Sequence, residues 1–318
     1  MLYRTVVGSP VVQGGGDVRL FDVATAAPDQ LAPALEKGSI LFWRQTPFEL
    51  ISQDCDALLS IRTVPGAHHK NIAFKPDIQK VTGAAHLEPQ TRAAVTRVLK
   101  SYSSWAVEFL AKLLPSYAPG WRIDYASFRP VEEENRDLPW KKRNDLIHID
   151  AFPSRPTNGG LILRLFTNVN PTRERVWVTG PPFAAIAKDH AIPAGLPEFA
   201  GQTHSSLGKI CGPMLRGART IGLRTVDRSP YDRFMLAFHD YLKANSDFQK
   251  NCPKYRFSFP PGSTWMVFTD IVPHSVLSGQ YALEQTFIVS PHSLSARERA
   301  PISILESISH AKLAIAAG

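Results

Sequence analysis

Two hydrophobic rhythms divide the chain of 318 residues. In the first third the spacing is helical. After Pro89, a residue suited to a first turn, Val95, Val98, Leu99, Tyr102, Trp105, Phe109 and Leu113 recur at steps of three and four, one face of a long helix that Pro115 stops. Upstream, residues 17–23 (DVRLFDV) and 39–44 (SILFWR) read as short strands around a helix at residues 28–37, and residues 47–62 read as a further helix. From Trp121 the pattern turns to short β-branched and aromatic runs broken by Pro and Gly: WRIDYASFRP, LIHIDAF, LILRLFTNV, RVWVTG, YRFSFPPGSTWMVFTD and QYALEQTFIVS. Pro261-Gly262 is a turn between two of them. Residues 182–254 are less regular and hold one clear helix, Pro230–Ala244, with Ser229 as its N-cap.

Helices followed by antiparallel strands predict an α+β, mainly β fold. The expected architecture is a double-stranded β-helix, a jelly-roll or cupin-like barrel buttressed by N-terminal helices. A Rossmann sheet is not expected, because Gly14-Gly15-Gly16 does not extend to G-x-G-x-x-G. One domain is expected over residues 1–318. Residues 1–120 form its strands and buttressing helices, 121–290 the barrel with an insert at about 182–254, and 291–318 a C-terminal tail.

Composition changes this picture little: 44% hydrophobic and 20% charged residues are ordinary for a globular protein. No apolar run approaches the roughly 18 residues needed to span a bilayer, and the first residues lack the apolar core of a secretory signal. Cys55, Cys211 and Cys252 are scattered without metal spacing, which predicts a reducing, cytoplasmic setting. Charge adds more. The net charge of +8 and pI near 9.4 favour anionic partners. Lys209, Arg216, Arg219, Arg224, Arg228 and Arg233 concentrate part of that charge in the insert. No zinc-finger spacing or RRM signature accompanies them, so no nucleic acid is expected.

The candidate chemistry centres on His148-Ile149-Asp150. On a strand, residues two apart share a face, and a remote His would complete the two-His-one-carboxylate triad of non-haem Fe(II) oxygenases. The pattern alone is weak: roughly 0.4 H-x-D matches arise by chance in such a chain, and His86-Leu87-Glu88 is a look-alike at a helix entrance. His274, in TWMVFTDIVPHSVLSG, is the best-placed third ligand. His239 lies in the Pro230–Ala244 helix, His190 and His204 in the insert, and His292 and His310 beyond the last strand. The same three ligands would suit a zinc hydrolase or a cupin-type isomerase. Arg164 weighs against these. It interrupts the apolar run LILRLF, and a buried arginine needs an anion, best a bidentate carboxylate.

The segments HIDAFPSRPTNGGLILRLFTNVNP and FTDIVPHSVLSGQYALEQTFIV resemble the Kdo (3-deoxy-D-manno-oct-2-ulosonic acid) hydroxylases of Gram-negative bacteria. These are Fe(II)/2-oxoglutarate dioxygenases with a double-stranded β-helix. The resemblance implies that His148, Asp150 and His274 bind iron, with 2-oxoglutarate and O2 as co-substrates. It also implies a substrate: the Kdo of the lipid A inner core of lipopolysaccharide, hydroxylated at C-3 to Ko. Many 2-oxoglutarate oxygenases carry an arginine about ten residues after the distal histidine; residues 279–289 have none here. Arg164 is the expected substitute, with Gln285 and Thr286 as lesser contacts.

Arg155 and the basic insert are expected to meet the Kdo carboxylate or the lipid A phosphates, and peripheral contact with the cytoplasmic face of the inner membrane would fit the same charge. Trp177 and Trp265 are expected in the core. Three alternatives stay open at this point. One is an oxygenase acting on another sugar or a protein side chain; the second is a non-catalytic basic module binding phosphorylated lipid or nucleic acid; the third is the zinc enzyme.

Overall fold

The computed structural model describes residues 4–6, 18–61, 71–201 and 228–314. Its strands are β1 (Arg4–Val6), β2 (Leu20–Asp22), β3 (Ile40–Trp43), β4 (Ile72–Lys75), β5 (Lys80–Thr82), β6 (Trp121–Arg129), β7 (Leu161–Asn168), β8 (Arg175–Thr179), β9 (Tyr255–Phe259), β10 (Thr264–Phe268), β11 (His274–Ser278) and β12 (Ala282–Val289). They form two sheets. The larger runs β2-β3-β10-β7-β12-β6-β4-β5 and the smaller β1-β9-β8-β11. Pairing is antiparallel except for β2 with β3 and β1 with β9. The result is a mixed α/β fold built on a large, mainly antiparallel sheet. Among the described residues the expected closed barrel is not seen, since each sheet ends in open edges.

Alternation along the strands assigns each face its job. In β4 and β6, Ile72, Phe74, Ala126 and Phe128 turn to one side and are buried with Val95, Val98, Leu99 and Tyr102 of the long helix, Pro89–Leu113. The Tyr102 hydroxyl lies 3.1 Å from Thr167 Oγ1, which in turn lies 2.8 Å from Thr264 Oγ1, so the helix is also bonded to β7 and β10. On the other side the two sheets close on aromatic rings. Phe259 stacks on Trp265 at 4.0 Å, and Trp177 meets Phe166 edge-on at 5.1 Å. Trp177 and Trp265 are fully buried, as expected of core residues.

Several elements differ from the sequence reading. LIHIDAF contributes only an isolated bridge, His148 opposite His274, rather than a named strand. The helix expected at residues 47–62 shrinks to Ser52–Leu59, and β4, β5 and β11 were not foreseen. The insert is more helical than its irregular pattern suggests, with Phe183–His190, Leu196–Gly201 and Ser246–Asn251 beside Pro230–Ala244. Ser229 caps that last helix by accepting from the Asp232 amide at 3.1 Å. The C-terminal stretch carries a helix, Pro301–Ser309, packed on Phe183–His190. Gly14, Gly15, Gly16, His204, Lys209, Cys211, Arg216, Arg219 and Arg224 lie outside the described residues. Among the described residues, no helix is long and apolar enough to cross a membrane.

Candidate metal centre

The backbone brings the two histidines together. His148 and His274 exchange both amide–carbonyl hydrogen bonds, at 3.0 and 2.8 Å, which sets their imidazoles side by side with ring centroids 5.0 Å apart. The Asp150 amide donates to the Thr269 carbonyl at 3.0 Å, holding the acid on the same wall. One ligand atom from each of His148, Asp150 and His274 lies within 4.8 Å of the others. His274 begins β11 rather than ending a strand.

The local bonds prepare these groups for a cation. Nδ1 of His148 lies 2.7 Å from the Leu146 carbonyl, and Nδ1 of His274 lies 3.0 Å from the Val272 carbonyl. Each Nδ1 must therefore carry the proton, which leaves the Nε2 lone pair for a metal. Burial lowers the pKa of both rings, that of His148 further through the neighbouring His274 and His239, so both are neutral near pH 7. Burial alone would raise the Asp150 carboxyl, but Arg164, His274 and His148 hold it well below the usual carboxylate range. Its Oδ2 is buried and accepts no hydrogen bond, although Arg164 Nη1 lies 3.1 Å away in an ion pair. Two neutral imidazoles and an under-satisfied carboxylate fit a divalent transition metal.

The triad opens on a cavity of about 200 Å³ into which Arg129, Arg164 and Arg175 also project. Glu284 of β12 organises two of them. Its carboxylate takes Arg129 Nε at 3.0 Å and a second contact from the same guanidinium, and lies 3.3 Å from Arg164 Nε. Ser127 and Thr286 donate to it as well, at 2.8 and 2.6 Å. Burial would raise this acid; Arg129 and Arg164 more than reverse that and take it to about 2. Arg175 is 1% exposed, donates to the Gly279 carbonyl at 2.8 Å and, among the described residues, leaves Nε without a hydrogen-bond partner. Burial lowers its pKa to about 10, so it remains a cation at neutral pH. Trp177 stacks on His274 at 4.8 Å and closes one wall.

The other sequence candidates fall in different places. Thr286 spends its hydroxyl on Glu284. Gln285 points to the opposite face of β12, where its amide donates to the Asp124 and Thr286 carbonyls at 2.9 and 2.8 Å, and it does not line the cavity. Arg155 lies outside the cavity lining, paired through Nη1 with both Asp124 oxygens at 2.8 Å. His239 backs the centre: its Nδ1 lies 2.7 Å from the Ile149 carbonyl and its ring 4.9 Å from that of His148. His190 packs instead against Tyr241 and Phe248.

Arg129, Arg175 and Glu284 were missed. Glu284 is a charge inside an apolar strand, the signal that singled out Arg164, whereas Arg129 ends β6 and Arg175 begins β8, where a charge gives no such signal. Asp270 was missed too. It is 1% exposed, among the described residues neither carboxyl oxygen has a hydrogen-bond partner, and burial pushes its pKa up to about 7. It shares with Asp150 the lining of a void of only about 10 Å³.

The site can be set beside known proteins. The profile of the 3-deoxy-D-manno-oct-2-ulosonic acid (Kdo) hydroxylases matches residues 22–312. Among curated proteins, none matches the chain. Crystal structures of the Kdo hydroxylase KdoO, a non-heme Fe(II) alpha-ketoglutarate-dependent dioxygenase, are similar over nearly the whole length. The complex with succinate and Fe(III) is 33% identical with a TM-score of 0.79, covering 95% of this chain and 99% of that one. The complex with alpha-ketoglutarate and Fe(III) has the same identity and TM-score and covers 95% and 98%. A third structure holds cobalt(II), again at 33% identity and a TM-score of 0.79, with 95% and 99% covered. With the profile spanning residues 22–312 and a metal-ready His-Asp-His group inside that span, the chain belongs to the Kdo hydroxylase family.

Proposed function

We propose that this protein is an Fe(II)/2-oxoglutarate-dependent dioxygenase that hydroxylates Kdo at C-3, giving Ko in the lipid A inner core. The observation that carries this reading is the meeting of two neutral imidazoles and an ionised carboxylate with buried arginines in one cavity, in a chain whose family and structural relatives are Kdo hydroxylases. The chain reads as a single catalytic domain. Its site-bearing segments alternate between sheets as a double-stranded β-helix requires: β6, β7, β10 and β12 lie in the larger, while β8, β9, β11 and the His148 bridge lie in the smaller.

In this reading His148, Asp150 and His274 hold the iron. Bound iron with 2-oxoglutarate and O2 would supply the oxidising power for hydroxylating an unactivated carbon. The protein's own part is placement. Arg164 and Arg175, with Arg129, offer planar cations to the carboxylates of the co-substrate. Glu284 fixes the orientation of Arg129 and Arg164, and Arg164 takes the place of the arginine missing from residues 279–289. Trp177 and Phe166 exclude water from one side of the cavity. Arg155 takes an anionic group of the acceptor. The lipid part of the acceptor implies work at the cytoplasmic face of the inner membrane, by peripheral contact.

The test is anaerobic loading with Fe(II) and 2-oxoglutarate, then oxygen, with succinate and hydroxylated Kdo both measured on Kdo-containing lipid A. Matched formation of the two products is expected. Succinate that never rises on adding a Kdo acceptor would contradict the assignment and favour another sugar or a protein side chain as substrate.

A further inference from the structure

Beyond Arg164 the wall leaving the cavity is a stack of alternating cations and rings. The Arg164 guanidinium carbon lies 5.2 Å from the Phe152 ring centre, and that of Arg155 lies 4.2 Å from the same ring. Arg155 also lies 4.0 Å from the Tyr125 ring, whose other neighbour is the Lys75 ammonium at 5.0 Å. Strand alternation explains why these groups share a side. Ile72, Phe74, Ala126 and Phe128 face the long helix, so Lys75 and Tyr125 face the other way, with Ser127 and Arg129.

Two features distinguish this ladder from a packing device. The first is spare donor capacity on Arg155, whose charge Asp124 balances, with an unpaired ammonium at Lys75 among the described residues. Asp124 engages only Nη1 of Arg155, and among the described residues neither Nη2 nor Nε of Arg155 has a hydrogen bond and no carboxylate pairs with Lys75. The second is a gradient of exposure. The Arg164 side chain is 11% exposed, Arg155 is 21% exposed, and Lys75 is half-buried at a strand end. The cations thus run from the iron ligand Asp150 out towards solvent. Cations held in a row by rings suit a chain of sugars carrying acids: the rings fix the positions of the cations, and the guanidinium and ammonium groups offer donors.

We infer that Phe152, Arg155, Tyr125 and Lys75 form the track for a polyanionic glycan, binding a second acidic group of the acceptor beyond the sugar that reacts. This inference rests on the proposed function and extends it.

The experiment compares Lys75→Glu and Tyr125→Leu with wild type and with Lys188→Glu, a charge change on an exposed helix position elsewhere. Steady-state rates are measured with Kdo-containing lipid A and with free Kdo, and thermal melts establish that each variant is folded. The expected result is a roughly tenfold rise in KM for the lipid-linked acceptor in both ladder variants, with KM for 2-oxoglutarate unmoved. Lys188→Glu should match wild type, and added salt should raise the acceptor KM of wild type more than that of Lys75→Glu. Folded ladder variants with wild-type acceptor KM would overturn the inference, as would equal use of free and lipid-linked Kdo by wild type. If wild type forms no acceptor-dependent succinate, the functional reading itself has failed. Calorimetry with the same acceptor then decides the ladder: weaker binding to Lys75→Glu than to wild type supports it, and equal or absent binding overturns it.

Discussion

The two faces of β6 are built from neighbouring residues and do opposite work. Ala126 and Phe128 are fully buried against the long helix, whereas Ser127 and Arg129, one step away, bind Glu284 at the cavity. Each face is internally consistent. The helix side is closed by apolar packing, and the cavity side balances buried arginines with a buried acid. The difference teaches that the larger sheet separates stability from chemistry at single-residue spacing, so substitutions on adjacent positions should fail in different ways.

The largest effect is expected at the centre. His148→Ala or His274→Ala should lower kcat by at least about a thousandfold and abolish tight Fe(II) binding, while the melt of the metal-free protein changes little. Metal titration and turnover check this. Phe128→Ala, on the other face, should cost about 3–5 kcal/mol of stability by opening a cavity. The fraction that stays folded should keep a wild-type KM for 2-oxoglutarate, as denaturant unfolding and kinetics at low temperature would establish. Glu284→Gln should sit between these extremes. Losing the charge that holds Arg129 and Arg164 is expected to raise KM for 2-oxoglutarate roughly tenfold and cost about 1–3 kcal/mol. A change confined to stability would assign Glu284 to the core instead.

The smallest effect concerns pH. Asp270 has a folded pKa of about 7, raised by burial above its ordinary value. The folded protein therefore holds a proton there that the unfolded chain gives up near pH 4. This contribution is fully present below that pH and is lost as pH rises through 7. Asp270→Asn should gain stability relative to wild type between pH 5 and pH 8. Melting temperatures of the metal-free proteins at both ends of that range measure it.

Much of this was legible in the sequence, for physical reasons that also mark where legibility stops. The long helix and the Ser229 cap are local, set by spacing and one side-chain bond, and both were read directly. His148, Asp150 and His274 could be paired because strand periodicity and an H-x-D pattern survive without coordinates. Glu284 carried the same buried-charge signal as Arg164, while Arg175 at the start of β8 did not, and only the fold shows that β6, β7, β8 and β12 bring these charges to one cavity. Gln285 shows the cost of reading adjacency without register: one step along β12 moves it to the other face from Glu284. The open edges of the two sheets, and the reduction of LIHIDAF to a single bridge, depend on long-range pairing that no local pattern encodes.

The central claim is that His148, Asp150 and His274 hold an iron to which 2-oxoglutarate binds beside the buried arginines. Its most direct test is anaerobic titration of 2-oxoglutarate into the Fe(II)-loaded protein, followed by visible absorbance. The account predicts a saturable iron-chelate band in wild type that is absent from His274→Ala and needs a higher 2-oxoglutarate concentration in Arg164→Ala. A band of wild-type intensity and midpoint in His274→Ala would contradict it.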